Sequence, residues 1–446
     1  MRSDVLKVIS SARDVTNAIV LTHNIDFVFV QTVALSAFHR CGHPTITVFA
    51  DSRSAADSFA QQKVILTDLG VRYRVVPIAM GPGFRFHPKA VLLSGEHAGV
   101  LLVGSGNLTL GGWRENGEVW TRFDSESDGA GPFHAFRNYL AEVLTRVLLP
   151  DAVKGDGEEA FDPRSKSWLS TGSTDDGGLV GRTGSGPTLL EQILVASGDE
   201  PVEELYVCSP YFDNDGVALR ELVASVGARR ATILCQAGRT ALHQRAWEPT
   251  ATIAKLQNID YRHPGFADRE RSAFMHAKFY GLRRQDDVVV LAGSANCSRA
   301  ALTVQGNAGN AELMAVRVLT PQAFQEEFLG ELHVSAEPVI LSQELSGEDD
   351  EESPGTALRI LAARFEAGCL LVGYAPSSAA VTDCLVDGTT VPFAKSGNGV
   401  LSVSCGSDPK LVSIRAWIDD ELVESETAWI DLERQLRATA RGRSLA

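Results

Sequence analysis

The stretch of sequence that decides the fold begins at His87-Pro88-Lys89, passes through an apolar run to Gly104-Ser105-Gly106-Asn107, and ends at Asn116-Gly117-Glu118. The apolar run is interrupted once, by a short polar turn that begins at Gly95. Two apolar segments around such a turn predict a β-hairpin. The hairpin carries the His-x-Lys motif at the start of its first strand and the Gly-Ser-x-Asn motif at the end of its second strand.

The chain contains this stretch twice. The second copy reads His276-Ala277-Lys278, an apolar run, Gly293-Ser294-Ala295-Asn296, and then Asn310-Ala311-Glu312. The histidine, lysine, serine and asparagine of the first copy each recur 189 positions later. An offset shared by four polar residue types indicates an internal duplication. We therefore expect two similar lobes that meet at a single cleft.

Strands and helices alternate around both copies. In the first half, an apolar run near residues 18–23 predicts a strand, residues 27–40 a helix, and residues 45–50 another strand. This alternation is typical of an α/β fold. The predicted fold class is α/β, with two pseudo-symmetric α-β-α lobes and a small all-β domain at the C-terminus.

Changes in composition set the predicted domain boundaries. The lobes are expected at residues 1–150 and 188–333, and the segment between them, 151–187, is predicted to be a linker because it is rich in glycine, serine and acidic residues. Beyond an acidic break, the short apolar segments of residues 355–446 predict the small β domain. No catalytic cluster lies in it, so we expect it to dock a protein partner, mediate dimerisation or cover a core edge.

Length and composition indicate a folded, soluble protein. The chain has 446 residues, of which 44% are hydrophobic and 22% charged. It contains no apolar run long enough to predict a transmembrane helix and no signal peptide at its start, so a cytoplasmic location is expected. Seven cysteines are scattered without a Cys-x-x-Cys pair. They predict buried small hydrophobes, neither a disulfide framework nor a zinc site.

The charge distribution bears on the partner. The net charge is −15, but most of this net negative charge lies from residue 320 onwards, which leaves the two motif-bearing lobes close to neutral. Several arginines flank the motifs and predict a positive groove for nucleic acid. They are Arg85, Arg114, Arg239, Arg262, Arg269, Arg271 and Arg299.

The repeated polar residues suit phosphodiester cleavage. Breaking such a bond takes a nucleophile on one side of phosphorus and an acid for the leaving oxygen on the other. A symmetric pair of histidines, His87 and His276, supplies both. Lys89 and Lys278 are predicted to hold the non-bridging oxygens and to offset the charge that develops in the transition state.

The remaining repeated residues are predicted to support this pair. Asn107, Asn296, Ser105 and Ser294 are expected to donate hydrogen bonds to the substrate, and Glu118 and Glu312 to accept from the far ring nitrogen of a histidine. Neither a carboxylate cluster nor a His/Cys set suggests a metal site. We therefore expect no cofactor and a metal-independent reaction.

His-x-Lys followed by Gly-Ser-x-Asn, twice in one chain, resembles the phospholipase D superfamily. The resemblance covers residues 1–333, with sharp matches only in the motifs, and it implies two phospholipase D-like lobes. It also implies a covalent phosphohistidine on one histidine, with the other as general acid. Carried over, His87 is the expected nucleophile and His276 the acid, although symmetry leaves the reverse open.

One departure from the family pattern points to the substrate. The family commonly has an aspartate five residues after each motif lysine, where this chain has Ser94 and Arg283. Its loss in both copies resembles the tyrosyl-DNA phosphodiesterase and nuclease branch more than the lipases. The expected function is therefore a nuclease or nucleic-acid phosphodiesterase, with DNA favoured over RNA, no membrane partner, and a role in bacterial defence or DNA repair.

Two other functions stay open at this stage. One is a phospholipase D or phosphatidyl transferase, and the other is a catalytically inactive nucleic-acid-binding or assembly module. Trp113 and Tyr211 are candidates for stacking on bases, although a place in the core or at the cleft rim explains them as well. The remaining histidines, including His23, are expected to be structural or at the surface. The sequence does not decide between internal cuts and end processing, and it leaves the oligomeric state open.

Overall fold

The computed structural model describes residues 4–80, 83–145, 151–170, 177–252, 254–262, 272–306, 308–335, 339, 341, 358–397, 399–406, 408–418 and 420–441. These residues form a mixed α/β fold with several sheets. Within these ranges, no helix is long and apolar enough to cross a bilayer. The acidic break before residue 355 and the groove candidates Arg269 and Arg271 lie outside them.

The first sheet has six strands in the order β3-β2-β1-β4-β5-β6. The strands are β1 (Val15–Thr22), β2 (Thr45–Asp51), β3 (Arg74–Ile78), β4 (Ala90–Gly95), β5 (Gly99–Gly104) and β6 (Trp120–Asp124). The first three run parallel, and β4, β5 and β6 are antiparallel to their neighbours. The hairpin predicted around Gly95 is therefore the β4–β5 hairpin.

Helices accompany this sheet. They are α1 (Val5–Ser11), α2 (Phe27–Phe29), α3 (Leu35–Cys41), α4 (Ser52–Gln62) and α5 (Gly131–Leu144). A π-helical turn, Val30–Ala34, joins α2 to α3, so the helix predicted at residues 27–40 is one continuous helical stretch. Helix α4 begins at Asp51, whose carboxylate accepts hydrogen bonds from the backbone of Arg53 and Ser54 and satisfies donors that have no partner inside the helix.

The predicted linker, residues 151–187, is wrong for much of its length. It contains α6 (Asp151–Ala160), a 3₁₀ turn at Ser167–Ser170, and β7 (Leu179–Thr183). Apolar residues scattered among its polar ones are buried in the core that the first two sheets share. The indole of Trp168, for example, donates to the carbonyl of Gly95 at 3.0 Å. The glycine-rich composition concealed this anchoring, and residues 171–176 lie outside the described ranges.

The second sheet has eight strands in the order β14-β10-β9-β8-β11-β12-β13-β7. Its further strands are β8 (Glu204–Cys208), β9 (Arg230–Cys235), β10 (Ala254–Tyr261), β11 (Phe279–Arg283), β12 (Val288–Gly293), β13 (Ala311–Leu319) and β14 (Leu332–Val334). The helices are α7 (Leu189–Ser197), α8 (Val217–Val226), α9 (Gln244–Trp247), α10 (Arg299–Leu302) and α11 (Pro321–Phe324). From β10 to β13, the strand order repeats that of the first sheet.

The two sheets pack directly against each other, with β5 and β6 lying against β12 and β13. Their shared core combines apolar residues of both sheets: Leu101, Val103 and Phe123 from the first, and Ala311, Leu313 and Ala315 from the second. Burial of such side chains stabilises the contact by roughly 25 cal/mol per Å² of apolar surface. This packing brings both motif copies to the same end of the molecule.

The C-terminal strands form two further sheets that share one apolar core. They are β15 (Arg359–Glu366), β16 (Cys369–Ala375), β17 (Ala380–Val386), β18 (Thr389–Val391), β19 (Ala394–Gly397), β20 (Val400–Ser404), β21 (Leu411–Ile418), β22 (Glu421–Glu424), β23 (Ala428–Trp429) and β24 (Asp431–Leu432). Helix α12 (Glu433–Arg441) follows. An all-β domain was expected, so this helix is a correction. Its Glu433 and Leu436 are buried, so the helix packs against the rest of the protein.

The C-terminal strands contact the helices and loops around the first sheet in three ways. The indole of Trp429 packs edge-on against Phe27 and Phe59, with ring centroids 5.8 and 5.1 Å apart. The backbone N–H of Leu432 donates to the carbonyl of Gly70 at 2.8 Å. The third contact is a buried ion pair.

This ion pair joins Arg74 to Glu433. The guanidinium donates to both carboxylate oxygens at 3.1 Å, and the two side chains are 2% and 0% exposed. Asp156 lies 3.6 Å from the same guanidinium. Burial raises the pKa of Asp156 to about 6 and that of Asp431 to about 7, although Arg74 acts against both shifts. One arginine thus lies among several carboxyl groups and pairs directly with Glu433.

Replacing Arg74 by methionine is expected to destabilise the protein by about 3–5 kcal/mol, because Glu433 then loses its buried counter-ion and keeps only the exposed Arg437, 3.9 Å away. Urea unfolding curves measure this loss. The matched control is Arg415→Met, which breaks an exposed pair with Glu424 at 2.8 Å and should change the curve little. Equal effects of the two substitutions would contradict the importance of the buried pair.

Candidate active site

His87 and His276 lie on irregular segments immediately before β4 and β11. The backbone N–H of His87 donates to the carbonyl of Ala311 at 3.0 Å, and that of His276 donates to the carbonyl of Gly117 at 2.9 Å. In each case the acceptor belongs to the other motif copy. The main chain of each motif copy therefore fixes the histidine of the opposite copy.

The side chain of each histidine likewise pairs with a glutamate of the opposite copy. Nδ1 of His87 lies 2.9 Å from both carboxylate oxygens of Glu312, and Nδ1 of His276 lies 2.8 Å from Oε1 of Glu118. Each glutamate belongs to the copy opposite to its histidine. A carboxylate at Nδ1 holds the proton on that nitrogen and leaves Nε2 for chemistry. The two copies therefore form one composite site.

Ser105 and Ser294 were expected to donate to the substrate; in the structure, both hydroxyls donate to glutamates. Ser105 donates to Glu118 at 2.5 Å, and Ser294 donates to Glu312. Each hydroxyl also accepts from the backbone N–H of the residue after that glutamate, at 3.0 Å in both copies. Both serines are 0% exposed, so their hydrogen bonds serve to orient the glutamates.

Asn116 and Asn310 also orient the glutamates, a role that the sequence interpretation missed. The amide of Asn116 donates to Glu118 at 3.3 Å, and that of Asn310 donates to Glu312 at 3.2 Å. The signal was present, because each asparagine precedes its glutamate by two residues in both copies. Each carboxylate thus contacts a histidine, a serine and an asparagine.

The two lysines converge on the histidines. Nζ of Lys89 donates to the carbonyl of His87 at 2.7 Å, and Nζ of Lys278 donates to the carbonyl of His276 at 2.9 Å. Nζ of Lys278 also lies 2.8 Å from Nε2 of His276. Both lysines are 0% exposed. Two buried ammonium groups beside the histidines favour the binding of an anion.

The motif asparagines lie at the same site. Oδ1 of Asn107 accepts from the backbone N–H of Asn24 at 3.3 Å. The corresponding atom of Asn296 is buried without a hydrogen-bond partner. Since a buried polar atom without a partner is costly, this amide oxygen can accept a hydrogen bond from a further donor.

The two histidines differ in their electrostatic surroundings. Burial lowers the pKa of His87 well below its usual value, and the charges of Lys89 and Lys278 lower it further. Burial also lowers the pKa of His276, but the charge of Glu118 opposes this effect. His87 is therefore the ring held more firmly in its neutral form.

The pKa values of the two glutamates are shifted in opposite directions. Burial tends to raise the pKa of Glu118, but His276, Lys278 and the hydroxyl of Ser105 outweigh it and lower the pKa. Burial raises the pKa of Glu312, although the nearby Lys89 acts against the shift. The Glu118 carboxyl is thus the more firmly ionised of the two and favours a protonated partner.

His23 and Tyr211 occupy the rim beside the two histidines. The ring of His23 lies edge-on to that of His87, with centroids 5.1 Å apart, and Tyr211 lies 6.3 Å from His276. His23 is thus nearer to the site than expected for a structural or surface histidine. Trp113, by contrast, is buried against Phe29 and is a core residue.

The positions that depart from the family pattern lie away from the site. Ser94 is near the far end of β4, where its hydroxyl donates to the carbonyl of Ala160 at 2.7 Å. Arg283 ends β11, also distant from the histidine that precedes that strand. Because neither position contacts the site, the departure bears on the substrate only through the resemblance.

The candidate groove arginines fall into two groups. Arg85 is partly buried beside the site, and its backbone N–H donates to the side chain of Asn310 at 2.9 Å. The other described members are exposed: Arg114, Arg239, Arg262 and Arg299. Two of these side chains pair with acidic neighbours, Arg262 with Asp260 at 3.5 Å and Arg299 with Asp215 at 3.8 Å.

Comparison with known proteins gives structural neighbours. No protein-family model matches the chain, and no curated protein sequence matches it. Yeast tyrosyl-DNA phosphodiesterase is similar with a TM-score of 0.46 and 14% identity, over 71% of this chain and 86% of that chain. Polyphosphate kinase from Porphyromonas gingivalis has a TM-score of 0.41 and 12% identity, over 73% and 43%.

A third neighbour is NucT from Helicobacter pylori, with a TM-score of 0.24 and 14% identity over 33% of this chain and 91% of that chain. All three belong to the phospholipase D superfamily. The resemblance seen in the motifs predicts neighbours of this kind. With TM-scores below 0.5, the function has to be inferred from the geometry of the site itself.

Glu118→Gln is expected to lower the pKa of His276 and to leave that of His87 nearly unchanged, because the lost charge contacts the histidine of the other copy. Titration of histidine-labelled protein by NMR measures both values. Glu312→Gln is the matched control and should leave the pKa of His276 nearly unchanged. A shift confined to His87 in Glu118→Gln would show that pairing occurs within a copy.

Proposed function

We propose that this chain is a phosphodiesterase of the phospholipase D superfamily that cleaves nucleic acid through a covalent phosphohistidine. One observation carries the proposal. Two histidines, each paired at Nδ1 with a glutamate of the opposite copy, converge on the same buried volume as two lysines. A nucleophile, an acid and two cations are the groups that in-line phosphoryl transfer needs.

The reaction proceeds in two steps. Nε2 of His87 attacks phosphorus, the bond to the leaving oxygen breaks, and that oxygen takes a proton from Nε2 of His276. A water molecule then attacks phosphorus, gives a proton to His276, and breaks the bond to His87. Lys89, Lys278 and Asn296 hold the non-bridging oxygens as charge develops on them.

Two observations support this assignment of roles. The pKa of His87 is lowered well below its usual value by burial, with further contributions from Lys89 and Lys278, so its ring keeps a lone pair for attack. Lys278 lies at Nε2 of His276 and occupies the nitrogen that a nucleophile would need. When Lys278 turns to a phosphoryl oxygen, Nε2 of His276 is left to carry the proton, and Glu118 stabilises that charged form.

We propose that the reaction is independent of metal ions and that the two similar sheets are duplicated lobes, at residues 1–150 and 188–333. Two lysines supply the positive charge that a metal supplies in other phosphodiesterases. In both sheets, three parallel strands are followed by three antiparallel strands in the same order, and this supports the duplication. Exposed arginines flanking the motifs support a nucleic-acid groove.

Cleavage of labelled single- or double-stranded DNA or RNA is expected to continue in the presence of EDTA. His87→Ala and His276→Ala should each reduce the rate by on the order of 10³-fold or more, because each removes a reacting group. His97→Ala is the control, since His97 is exposed at the turn between β4 and β5. Cleavage that needs added Mg²⁺, or that survives both histidine substitutions, would contradict the mechanism.

A further inference from the structure

The segments that carry the two histidines have little regular secondary structure to hold them. Residues 83–89 and 272–278 precede their strands and contain only isolated β-bridges. Their position therefore depends on individual hydrogen bonds. The N–H of each histidine is bound by the opposite copy, and the N–H of the residue before it is bound by a side chain of its own lobe.

Asp51 provides that side chain in the first lobe. It is the last residue of β2 and is 3% exposed. Its Oδ2 accepts from the backbone N–H of Phe86 at 2.9 Å. Its Oδ1 accepts from the first turn of α4, from Arg53 at 3.2 Å and Ser54 at 3.1 Å. One carboxylate thus ties the segment of His87 to a strand and a helix of the lobe.

Gln236 provides the side chain in the second lobe. It directly follows β9 and is 5% exposed. Its Oε1 accepts from the backbone N–H of Met275 at 2.8 Å. Its Nε2 donates to the hydroxyl of Ser272 at 3.0 Å and to the carbonyl of Ala273 at 2.8 Å. The segment before His276 is thus held at three points by one amide.

Strand register shows that the two side chains occupy equivalent places. Leu21 in β1 and Cys208 in β8 each pair with the residue directly after a motif lysine. On their other side they pair with the residues two positions before Asp51 and Gln236, respectively. The sequence repeat does not reveal this equivalence. Asp51 and Gln236 differ in residue type, and their separation along the chain differs from that of the motif residues.

We propose that Asp51 and Gln236 are positioning residues, each for one half of the reaction. This inference rests on the proposed function. Asp51 sets the position of His87 and hence the attack on phosphorus. Gln236 sets the position of His276 and hence proton transfer to the leaving oxygen and from the water. Neither side chain touches the reacting atoms, so each acts through the backbone of the residue before a histidine.

The two halves can be separated by the leaving group. A phosphodiester of thymidine with p-nitrophenol needs no acid for departure, whereas the same ester with an alcohol does. A displacement of about 1 Å costs on the order of 10²-fold in rate. With the p-nitrophenyl ester, the first turnover therefore reports on His87, and breakdown of the adduct reports on His276.

The test is rapid-quench kinetics of Asp51→Leu and Gln236→Leu in the full-length protein. Asp51→Leu is expected to slow the first release of p-nitrophenol by about 10- to 100-fold. Gln236→Leu is expected to leave this first release within about threefold of the wild type. It should instead slow adduct breakdown, and cleavage of the alcohol ester, by about 10- to 100-fold.

Two controls separate positioning from loss of structure. Asp51→Asn keeps an oxygen for Phe86 but turns its amide nitrogen towards the N–H groups of Arg53 and Ser54. Gln236→Glu keeps an oxygen for Met275 but sets its second oxygen against the carbonyl of Ala273. Each should therefore restore part of the step that the leucine variant loses. Thr188→Ala removes the side chain that caps α7, remote from the histidines, and should leave both steps intact. Thermal unfolding of each variant confirms that the folded protein is compared.

The outcomes are distinct. Equal slowing of both steps in both leucine variants, or no slowing in either, would overturn the division of labour. Slow steps that the Asn and Glu variants do not restore would overturn the role of the acceptor oxygens. If the wild-type protein releases no p-nitrophenol and cleaves no nucleic acid, the proposed function fails first, and the positioning roles fail with it.

Discussion

The structure depends on the exchange of glutamates between the two motif copies. Glu312 of the second copy binds His87 of the first, and Glu118 of the first binds His276 of the second. The backbone N–H of each histidine also donates to a carbonyl of the opposite copy. Neither copy therefore has a complete site of its own, and the packing of β5 and β6 on β12 and β13 becomes a requirement of the chemistry.

Because this site is buried, its charged groups have to be paired. Two lysines, two glutamates and two histidines share a site from which water is largely excluded, and an unpaired charge there would be costly. Four side chains, Ser105, Ser294, Asn116 and Asn310, donate hydrogen bonds to the carboxylates. The differences that remain, a lowered pKa at Glu118 and a raised pKa at Glu312, break the symmetry of the duplicated site and distinguish the two histidines.

Much of this site could be predicted from the sequence, because a shared offset identifies repeated polar residues without any knowledge of the fold. The exchange of glutamates could not, since a repeat shows which residues correspond but not which lobe they contact. For the same reason, the sequence did not show that Ser105 and Ser294 donate to the glutamates. Asp51 and Gln236 were missed because they differ in residue type. The linker at 151–187 was wrong because a few buried aromatic and apolar residues outweighed its glycine-rich composition.

The central claim is that His87 receives the phosphoryl group and His276 protonates the leaving oxygen. The most direct test is to mix His276→Asn protein with the p-nitrophenyl ester of thymidine phosphate, quench in alkali, and locate the adduct by mass spectrometry. The account predicts one equivalent of p-nitrophenol and a nucleotide bound to the peptide that contains His87. Release of p-nitrophenol without an adduct on that histidine, or an adduct elsewhere, would contradict it.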